Sequence, residues 1–276
     1  MEKIFNLIAF MINIAIRFVF VFGLLAYSNS PGISAETTEA EKGAAKYELA
    51  AGGLMIEEQS LASAGHADRA LVLWMLKPEK HPTDYAPDEP YTCPDYTRGS
   101  YYSGPVRVSL IDTKTGKIIN TVEVKTEGDD GSDSFDIPYA IRKGHYYKVE
   151  GNPKEGVEVK PRLLWLKDYN GDGKALEFAL FDAEACMGLD TTLIGYSERQ
   201  DKVIQYPIRL KEGSDKSSAH ESHWCDYLFS KEPKPAGHWK YEIDYRGRGG
   251  ALEKYEIRYD PKSEQFEGTH TATDAQ

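Results

Sequence analysis

The sequence predicts an all-β protein whose antiparallel hairpins form a sandwich or an irregular meander after an N-terminal signal helix. The clearest hairpin lies near the C-terminus, where aromatic or aliphatic residues alternate with charged residues over positions 239–245 and 254–259, around a Gly-rich turn at 247–250. Alternation with period two is typical of half-buried strands. The second observation is that no helical period is sustained beyond the N-terminal leader, which favours sheets packed on sheets.

Earlier in the chain, two segments carry strong strand signals. Residues 69–76 form an unbroken apolar run that stops before Pro78, as a buried strand would. Residues 106–110 and 118–124 alternate apolar and polar side chains around the turn sequence 112–116, which predicts a hairpin.

Residues 77–104 are predicted to form a long loop between these strands. Five prolines fall within this segment, and proline at this density is incompatible with a regular helix or a central strand. Loops of this length in folded domains are usually functional or disordered. The segment is therefore where catalytic carboxylates would be sought.

Three weaker strand pairs follow along the chain. Residues 135–139 and 145–149 are predicted as a pair of strands. Residues 162–166 and 176–180 are predicted as the two strands that flank the acidic loop 168–177, and residues 192–196 and 203–208 are predicted as a hairpin. Pro207 places the last of these strands near a sheet edge, because proline cannot donate to a ladder.

The chain of 276 residues is long enough for one large or two small domains. We expect a signal segment over 1–35, a flexible leader over 36–46 and a β-rich domain over 47–276, with room for two subdomains dividing near 150–160. Lys and Arg number 33 against 44 Asp and Glu, which gives a formal charge of −11. This balance argues against nucleic-acid binding, because few cations are available to neutralise phosphates.

The apolar run at residues 4–27 predicts export. Ser34 and Ala35 are small residues at which a signal peptidase could cut before Glu36. The alternative is an uncleaved anchor, but Arg17 would cost about 2.5–3.5 kcal/mol at the bilayer centre. The protein is therefore expected to be secreted or periplasmic, with membrane contact only through this run if it is retained.

Three cysteines, Cys93, Cys186 and Cys225, are present outside this segment. An exported compartment permits one disulfide with one thiol left over. The sequence leaves all three pairings open.

One loop carries a pattern that can be interpreted chemically. The side chains of Asp168, Asn170 and Asp172 fall on alternate positions, the carbonyl of Lys174 follows, and Glu177 supplies a further carboxylate. Oxygen donors at this spacing are the ligands that Ca²⁺ prefers. The sequence therefore predicts a calcium site in residues 168–177, with Mg²⁺ less suited because it demands octahedral geometry.

The motif Asp-x-Asn-Gly-Asp-Gly resembles the calcium loops of EF-hands, dockerins and the repeats of integrin-type propellers. The resemblance covers this loop alone. It departs from the EF-hand because position twelve, which holds a bidentate Glu there, is Ala179 here, and because flanking helices are absent. The resemblance implies one bound Ca²⁺ with Glu177 closing the ligand set.

A simpler interpretation of the same residues is a turn without a metal. Asn170-Gly171 and Asp172-Gly173 are both favoured turn dipeptides. Turn chemistry does not explain the additional carboxylates of Asp168 and Glu177, which repel one another in a tight loop until a cation joins them.

Other motifs point to no defined chemistry. His220, His223 and Cys225 are zinc-type donors, but their crowding within six residues does not match a structural zinc finger. The sequence contains no Gly-x-Ser-x-Gly elbow, no phosphate-binding loop and no His-Glu-x-x-His motif.

These features predict an exported, non-catalytic β domain with one structural calcium loop. Such a domain would act as a binding or cell-envelope-associated module for an unidentified protein or glycan. The alternative is a secreted hydrolase or glycan-active enzyme whose carboxylates, such as Asp84, Asp88 or Asp95, lie in the loop 77–104. Turnover of a glycan or ester substrate separates the two hypotheses.

Overall fold

The described structure consists of β-strands and their connections. The computed structural model of the protein describes residues 46–81, 101–126, 134–137, 148–149, 161–182, 188–213 and 219–273, all within the compact unit Glu39–Gln276. The complete helical elements in these ranges are three 3₁₀ helices, Ala62–Ala64, Leu228–Ser230 and Arg246–Arg248. The all-β prediction is confirmed.

Several predictions fall on residues that the structure does not describe. They are the signal helix in 1–35, all but the last residue of the leader 36–46, and the subdomain boundary near 150–160. These remain predictions from the sequence.

The first sheet has six strands arranged around its fourth strand. They are β1 (Gly53–Leu61), β2 (His66–Leu76), β3 (Glu79–His81), β4 (Tyr101–Asp112), β5 (Lys117–Glu123) and β6 (Ser134–Ile137). β4 pairs antiparallel with β2, β3, β5 and β6, and β1 pairs with β2. The buried strand predicted at 69–76 and the hairpin predicted over 106–124 are confirmed.

The second sheet has four strands, with β10 at its centre. Two-residue strands β7 (Lys148–Val149) and β8 (Pro161–Arg162) precede it and pair with each other. The sheet itself contains β9 (Glu177–Asp182), β10 (Asp190–Ser197), β11 (Lys202–Gln205) and β14 (Cys225–Asp226). β10 pairs antiparallel with each of the other three.

The third sheet has five strands in the order β13-β12-β17-β16-β15. Its members are β12 (Ile208–Glu212), β13 (Ala219–Ser222), β15 (His238–Asp244), β16 (Leu252–Asp260) and β17 (Gln265–Thr273). The predicted C-terminal hairpin is confirmed as β15 and β16. β12 and β17 run parallel, so hairpin connections alone do not build this sheet.

Two apolar cores lie on opposite faces of the second sheet. The first contains inward-facing residues of β2 and β4 together with Phe178, Leu180, Ile194 and Tyr196. The second contains residues of the third sheet together with Ala179 and Leu193. Because successive side chains of a strand point to opposite faces, β9 and β10 contribute to both cores, and the second sheet is the middle layer.

The second core is rich in aromatic side chains. Phe266 is fully buried, and its ring centroid lies 5.2–5.9 Å from those of Tyr206, Phe229, Trp239 and Tyr259. These are edge-to-face or tilted arrangements, which aromatic pairs prefer. The aromatic face predicted for the C-terminal hairpin is therefore packing surface.

Two predicted strand pairs differ from the structure. Among the described residues, β6 pairs with β4 and β7 pairs with β8, so the described parts of 135–139 and 145–149 do not pair with each other. The strand predicted over 203–208 ends at Gln205, because Pro207 has no N–H with which to continue the ladder. The chain then enters the third sheet at Ile208.

Two further boundaries need correction. Residues 163–166 are not a strand, and a single bridge between Lys167 and Glu177 replaces the predicted ladder. The predicted loop 77–104 contains β3 and the start of β4, while its residues 82–100 lie outside the described ranges.

Substitution of Phe266 by Ala should lower the free energy of unfolding by about 3–5 kcal/mol, because it leaves a cavity among four aromatic rings. Urea denaturation followed by far-UV circular dichroism measures the loss. Ile119→Ala is the control, since Ile119 is 37% exposed and should lose less than about 1 kcal/mol. Equal losses for the two variants would contradict the assigned core.

Candidate functional site

The predicted calcium loop projects from a hydrogen-bonded base. The Lys167 N–H donates to the Glu177 carbonyl at 2.8 Å, and the Glu177 N–H donates to the Lys167 carbonyl at 3.3 Å. The arm that precedes the loop is held by a side chain of β1, since Glu57 Oε2 accepts hydrogen bonds from the N–H groups of Leu163 and Leu164 at 2.6 and 3.2 Å. The two ends of the loop are therefore held next to each other by hydrogen bonds.

The carboxylate of Asp168 folds the first half of the loop. Its Oδ1 accepts a hydrogen bond from the Gly171 N–H at 2.7 Å, and its Oδ2 accepts one from the Gly173 N–H at 2.9 Å. The two glycines have φ angles of +81° and +88°, a region that residues with a Cβ rarely adopt. The two glycines therefore adopt the backbone conformation that turn dipeptides favour, which both the metal-bound and the metal-free interpretation require.

Asn170 and Asp172 repeat the same local hydrogen bonding. Asn170 Oδ1 accepts from the Asp172 N–H at 2.9 Å, and Asp172 Oδ1 accepts from the Lys174 N–H at 2.8 Å. Asx side chains commonly bond the backbone two residues ahead. All three predicted side-chain ligands on alternate positions therefore also act as acceptors for the backbone of the loop.

Glu177 is the one predicted ligand that is fully buried. Its Oε2 accepts a hydrogen bond from the Tyr169 N–H at 3.1 Å, and its Oε1 accepts one from Asn170 Nδ2 at 2.9 Å. The Tyr206 hydroxyl lies 3.5 Å from Oε1. The side chain points away from Leu176 and Phe178, which pack in the first core.

The surroundings of Glu177 disfavour its charge. Burial, the largest cause, together with the negative charges of Asp172 and Asp168, raises the pKa of the Glu177 carboxyl from 4.5 to about 8, although the hydrogen bond from Tyr169 lowers it. Lys174 does not compensate, because its Nζ turns to Glu198 Oε2 at 2.5 Å. The loop thus holds the carboxyl groups of Asp168, Asp172 and Glu177, and it has no cationic side chain that points toward Glu177.

Lys174 links the loop to two other parts of the chain through Glu198. The other oxygen of Glu198 lies 2.7 Å from His66 Nε2, at the start of β2. The hydrogen bond from Lys174, and more weakly that from His66, lowers the pKa of the Glu198 carboxyl. All three side chains are partly exposed, so this network contributes little to stability.

The loop also packs against the third layer. The Tyr169 ring is buried and meets the Phe229 ring edge-to-face at 5.8 Å. A Cβ on Gly171 would lie 2.9 Å from the carbonyl group of Ala236, and a Cβ on Gly237 would lie 2.5 Å from the Asn170 carbonyl oxygen. Sequence reasoning missed Tyr169 and Gly237, because nothing local shows that these distant segments meet.

The donor types of the loop fit a hard cation, but their placement does not form a metal group. Asp168, Asn170, Asp172 and Glu177 supply carboxylate and amide oxygens, which Ca²⁺ prefers. Among the described residues, however, no three His, Cys, Asp or Glu side chains are positioned together to hold a metal ion. Cation binding would therefore require these oxygens to exchange backbone hydrogen bonds for the ion.

The second candidate cluster is dispersed over two strands. His220 on β13 is exposed, and His223 is half-buried, with burial lowering the pKa of its imidazole. Cys225 on β14 is buried, and its Sγ lies 3.4 Å from the Tyr241 hydroxyl. The three side chains do not form a metal group.

Cys225 is a free thiol. Burial raises the pKa of this thiol to about 12, so it is an inert packing residue rather than a nucleophile. The two pairings that would use Cys225 are therefore not formed. Cys93 and Cys186 lie outside the described residues.

The carboxylates proposed for the enzymatic alternative, Asp84, Asp88 and Asp95, also lie outside the described residues. No family model matches the chain, and neither a curated protein nor a solved structure matches it. Across the described ranges, no helix combines the length and apolar character needed to span a membrane.

Glu177→Gln should flatten the dependence of stability on pH between about 4.5 and 8. The folded-state pKa of Glu177 is raised, so its contribution is complete below 4.5 and is lost as the pH rises through 8. Urea titrations from pH 4 to 9 measure this slope.

The matched control is Glu212→Gln, which changes an exposed carboxylate at the end of β12. Its pH profile should run parallel to that of the native protein. An unchanged slope in Glu177→Gln would show that the buried carboxyl does not titrate in this window.

Proposed function

We propose that the protein is an exported, non-catalytic β domain that serves as a binding or cell-envelope-associated module and carries one structural Ca²⁺ in residues 168–177. The observation that supports the calcium assignment is the buried carboxyl of Glu177, which lies near the charges of Asp168 and Asp172 and has no cationic partner among the described residues. Burial is the largest cause of its raised pKa, and a divalent cation would offset the repulsion from Asp168 and Asp172 that raises this pKa further.

The ligands proposed for the ion are all oxygens of the loop. They are the side chains of Asp168, Asn170, Asp172 and Glu177 and the backbone carbonyl of Lys174. Ca²⁺ accepts six to eight oxygen ligands in flexible geometries, whereas Mg²⁺ demands octahedral geometry. The carboxylates of this loop already point inward to their own backbone, so the loop suits Ca²⁺ better than it suits Mg²⁺.

The bound ion would stabilise the loop that connects the middle sheet to the third sheet. The base of the loop belongs to β9 of the middle sheet, and its tip touches Ala236 and Gly237 next to β15 of the third sheet. With a dissociation constant of about 10⁻⁴–10⁻³ M, as in extracellular modules, calcium at ten times that constant stabilises the fold by about 1.4 kcal/mol. This magnitude fits a structural role rather than a signalling one.

The character of the described surface restricts the kind of ligand that it can bind. Ile119 is the one large hydrophobic residue that the described ranges expose, and the aromatic residues Trp239 and Phe266 are buried in the second core. An apolar docking face or an aromatic platform is thus not offered by this part of the chain. Recognition by the described surface would have to be polar.

Calorimetric titration of the purified protein with Ca²⁺ should give one site, and Asp172→Ala should abolish its heat, because the variant removes a carboxylate from the loop. Glu212→Gln is the control and should bind as the native protein does. Ca²⁺ should also raise the melting temperature and reduce the pH slope assigned to Glu177, since the cation competes with its proton. Absence of heat, or equal heat from native protein and Asp172→Ala, removes the calcium proposal.

Sequencing the N-terminus of natively purified protein tests export. The expected first residue is Glu36, because Ser34 and Ala35 form the predicted cleavage site. Recovery of Met1 from a membrane fraction would support an anchor at 4–27 instead. Turnover of a glycan or ester substrate by the same preparation would contradict the non-catalytic assignment.

A further inference from the structure

The outer face of the third sheet contains an open depression at the parallel pair β12 and β17. It has a volume of about 410 Å³ and is lined by Arg209, Lys211, Glu267, Gly268 and Thr269. The register places Arg209 beside Glu267 and Lys211 beside Thr269. The side chains of Arg209, Lys211, Glu267 and Thr269 are exposed. The opposite face of β12 and β17 packs in the second core, so the depression lies on the solvent-facing side of the sheet.

Arg209 differs from the other arginines of the described structure. Of the arginines whose side chains are described, it alone forms no ion pair, although acidic residues outnumber basic ones in the chain. The six that do form ion pairs are Arg69, Arg107, Arg162, Arg199, Arg246 and Arg258. Its guanidinium therefore retains its full capacity to bind an anion in a bidentate manner.

The neighbouring acids do not neutralise this position. Glu267 lies beside Arg209 on β17 and Glu221 lies beside it on β13, yet neither pairs with it. The Glu267 carboxylate accepts a hydrogen bond from Gln265 Nε2 on its own strand. Lys211 likewise forms no ion pair among the described residues, so two cations on one strand face the depression.

The lining also restricts the rest of the ligand. Apart from Gly268, every lining residue has a polar side chain, so the depression offers charged and hydroxyl groups to a ligand. Arg209 and Lys211 suit an anionic group, whereas the Glu267 carboxylate and the Thr269 hydroxyl can accept hydrogen bonds from hydroxyl groups. The volume lies within the range of small-molecule sites, about 300–1,000 Å³.

We infer that this depression binds an anionic sugar unit, with its phosphate or carboxylate held by Arg209 and Lys211 and its hydroxyl groups held by Glu267 and Thr269. The inference deepens the proposed binding function by naming a ligand class. It is independent of the calcium loop, whose residues line no part of the depression. Phosphate and carboxylate share the chemistry that arginine recognises, so the probes separate the two sources.

Calorimetric titration of the purified protein at low ionic strength with glucose 6-phosphate, glucuronate, inorganic phosphate and glucose tests the assignment. At least one sugar anion should bind, more tightly than inorganic phosphate, and glucose should not bind measurably. The tighter of the two sugar anions identifies the anionic group. Added salt should weaken binding, because exposed charges are screened.

Variants assign the binding to these residues. Arg209→Gln should weaken the affinity for the sugar anion about tenfold, which is the loss expected for a charge-assisted hydrogen bond. Lys202→Gln removes an exposed lysine of β11 outside the depression and should leave affinity unchanged. Glu267→Gln should strengthen the binding of inorganic phosphate, because it removes the repulsion between the Glu267 carboxylate and the anion. The same variant should reduce the difference in affinity between the sugar anion and inorganic phosphate, because one acceptor for the sugar hydroxyl groups is weakened.

The outcomes separate this proposal from the calcium proposal. Asp172→Ala should retain sugar-anion affinity even if it loses calcium. The sugar-anion assignment is overturned if neither sugar anion binds, if glucose or inorganic phosphate binds as tightly as the sugar anions, or if Arg209→Gln has native affinity while its circular dichroism spectrum is unchanged.

Discussion

The burial of the Glu177 carboxyl between the middle sheet and the third sheet is the constraint on which the candidate site depends. A carboxyl group removed from water needs hydrogen-bond donors, since an unpaired one is costly. The Tyr169 N–H and Asn170 Nδ2 supply them, and they can do so only because the loop folds back over β9. Gly171 and Gly237 permit the close backbone approach that seats the loop. The burial of the carboxyl group, the shape of the loop and the contact between the layers therefore depend on one another.

The three-layer order explains how this acidic protein uses its aromatic residues. The middle sheet is covered on both faces, so seven of the eight residues of β10 are buried. The second core is filled by rings grouped around Phe266. The aromatic side chains of the C-terminal hairpin are thus used for packing, and the outer face of the third sheet carries charged side chains.

Local patterning predicted the clearest hairpins, because each is decided by alternation and a turn within a short stretch of chain. β15 pairs with β16 in a continuous register, whereas β4 pairs with β5 with a register shift between Leu110 and Ile111. Pairings between distant segments were not predictable in the same way. β12 lies parallel to β17, and β6 joins β4, and no local signal specifies which edge a strand will find. At Pro207 the missing N–H ends one ladder, but the sequence does not show where the chain goes next.

By itself, the sequence determined the β class, the strongest hairpins, and the presence of a turn-forming acidic loop at 168–177, since period-two alternation and Asx-Gly dipeptides act over a few residues. Only the tertiary structure decided that Glu177 is buried, that Tyr169 anchors the loop in the second core, and that Arg209 faces a depression without an ion-pair partner. Burial, pKa and charge pairing depend on residues far apart in the chain, and packing of the layers brings them together.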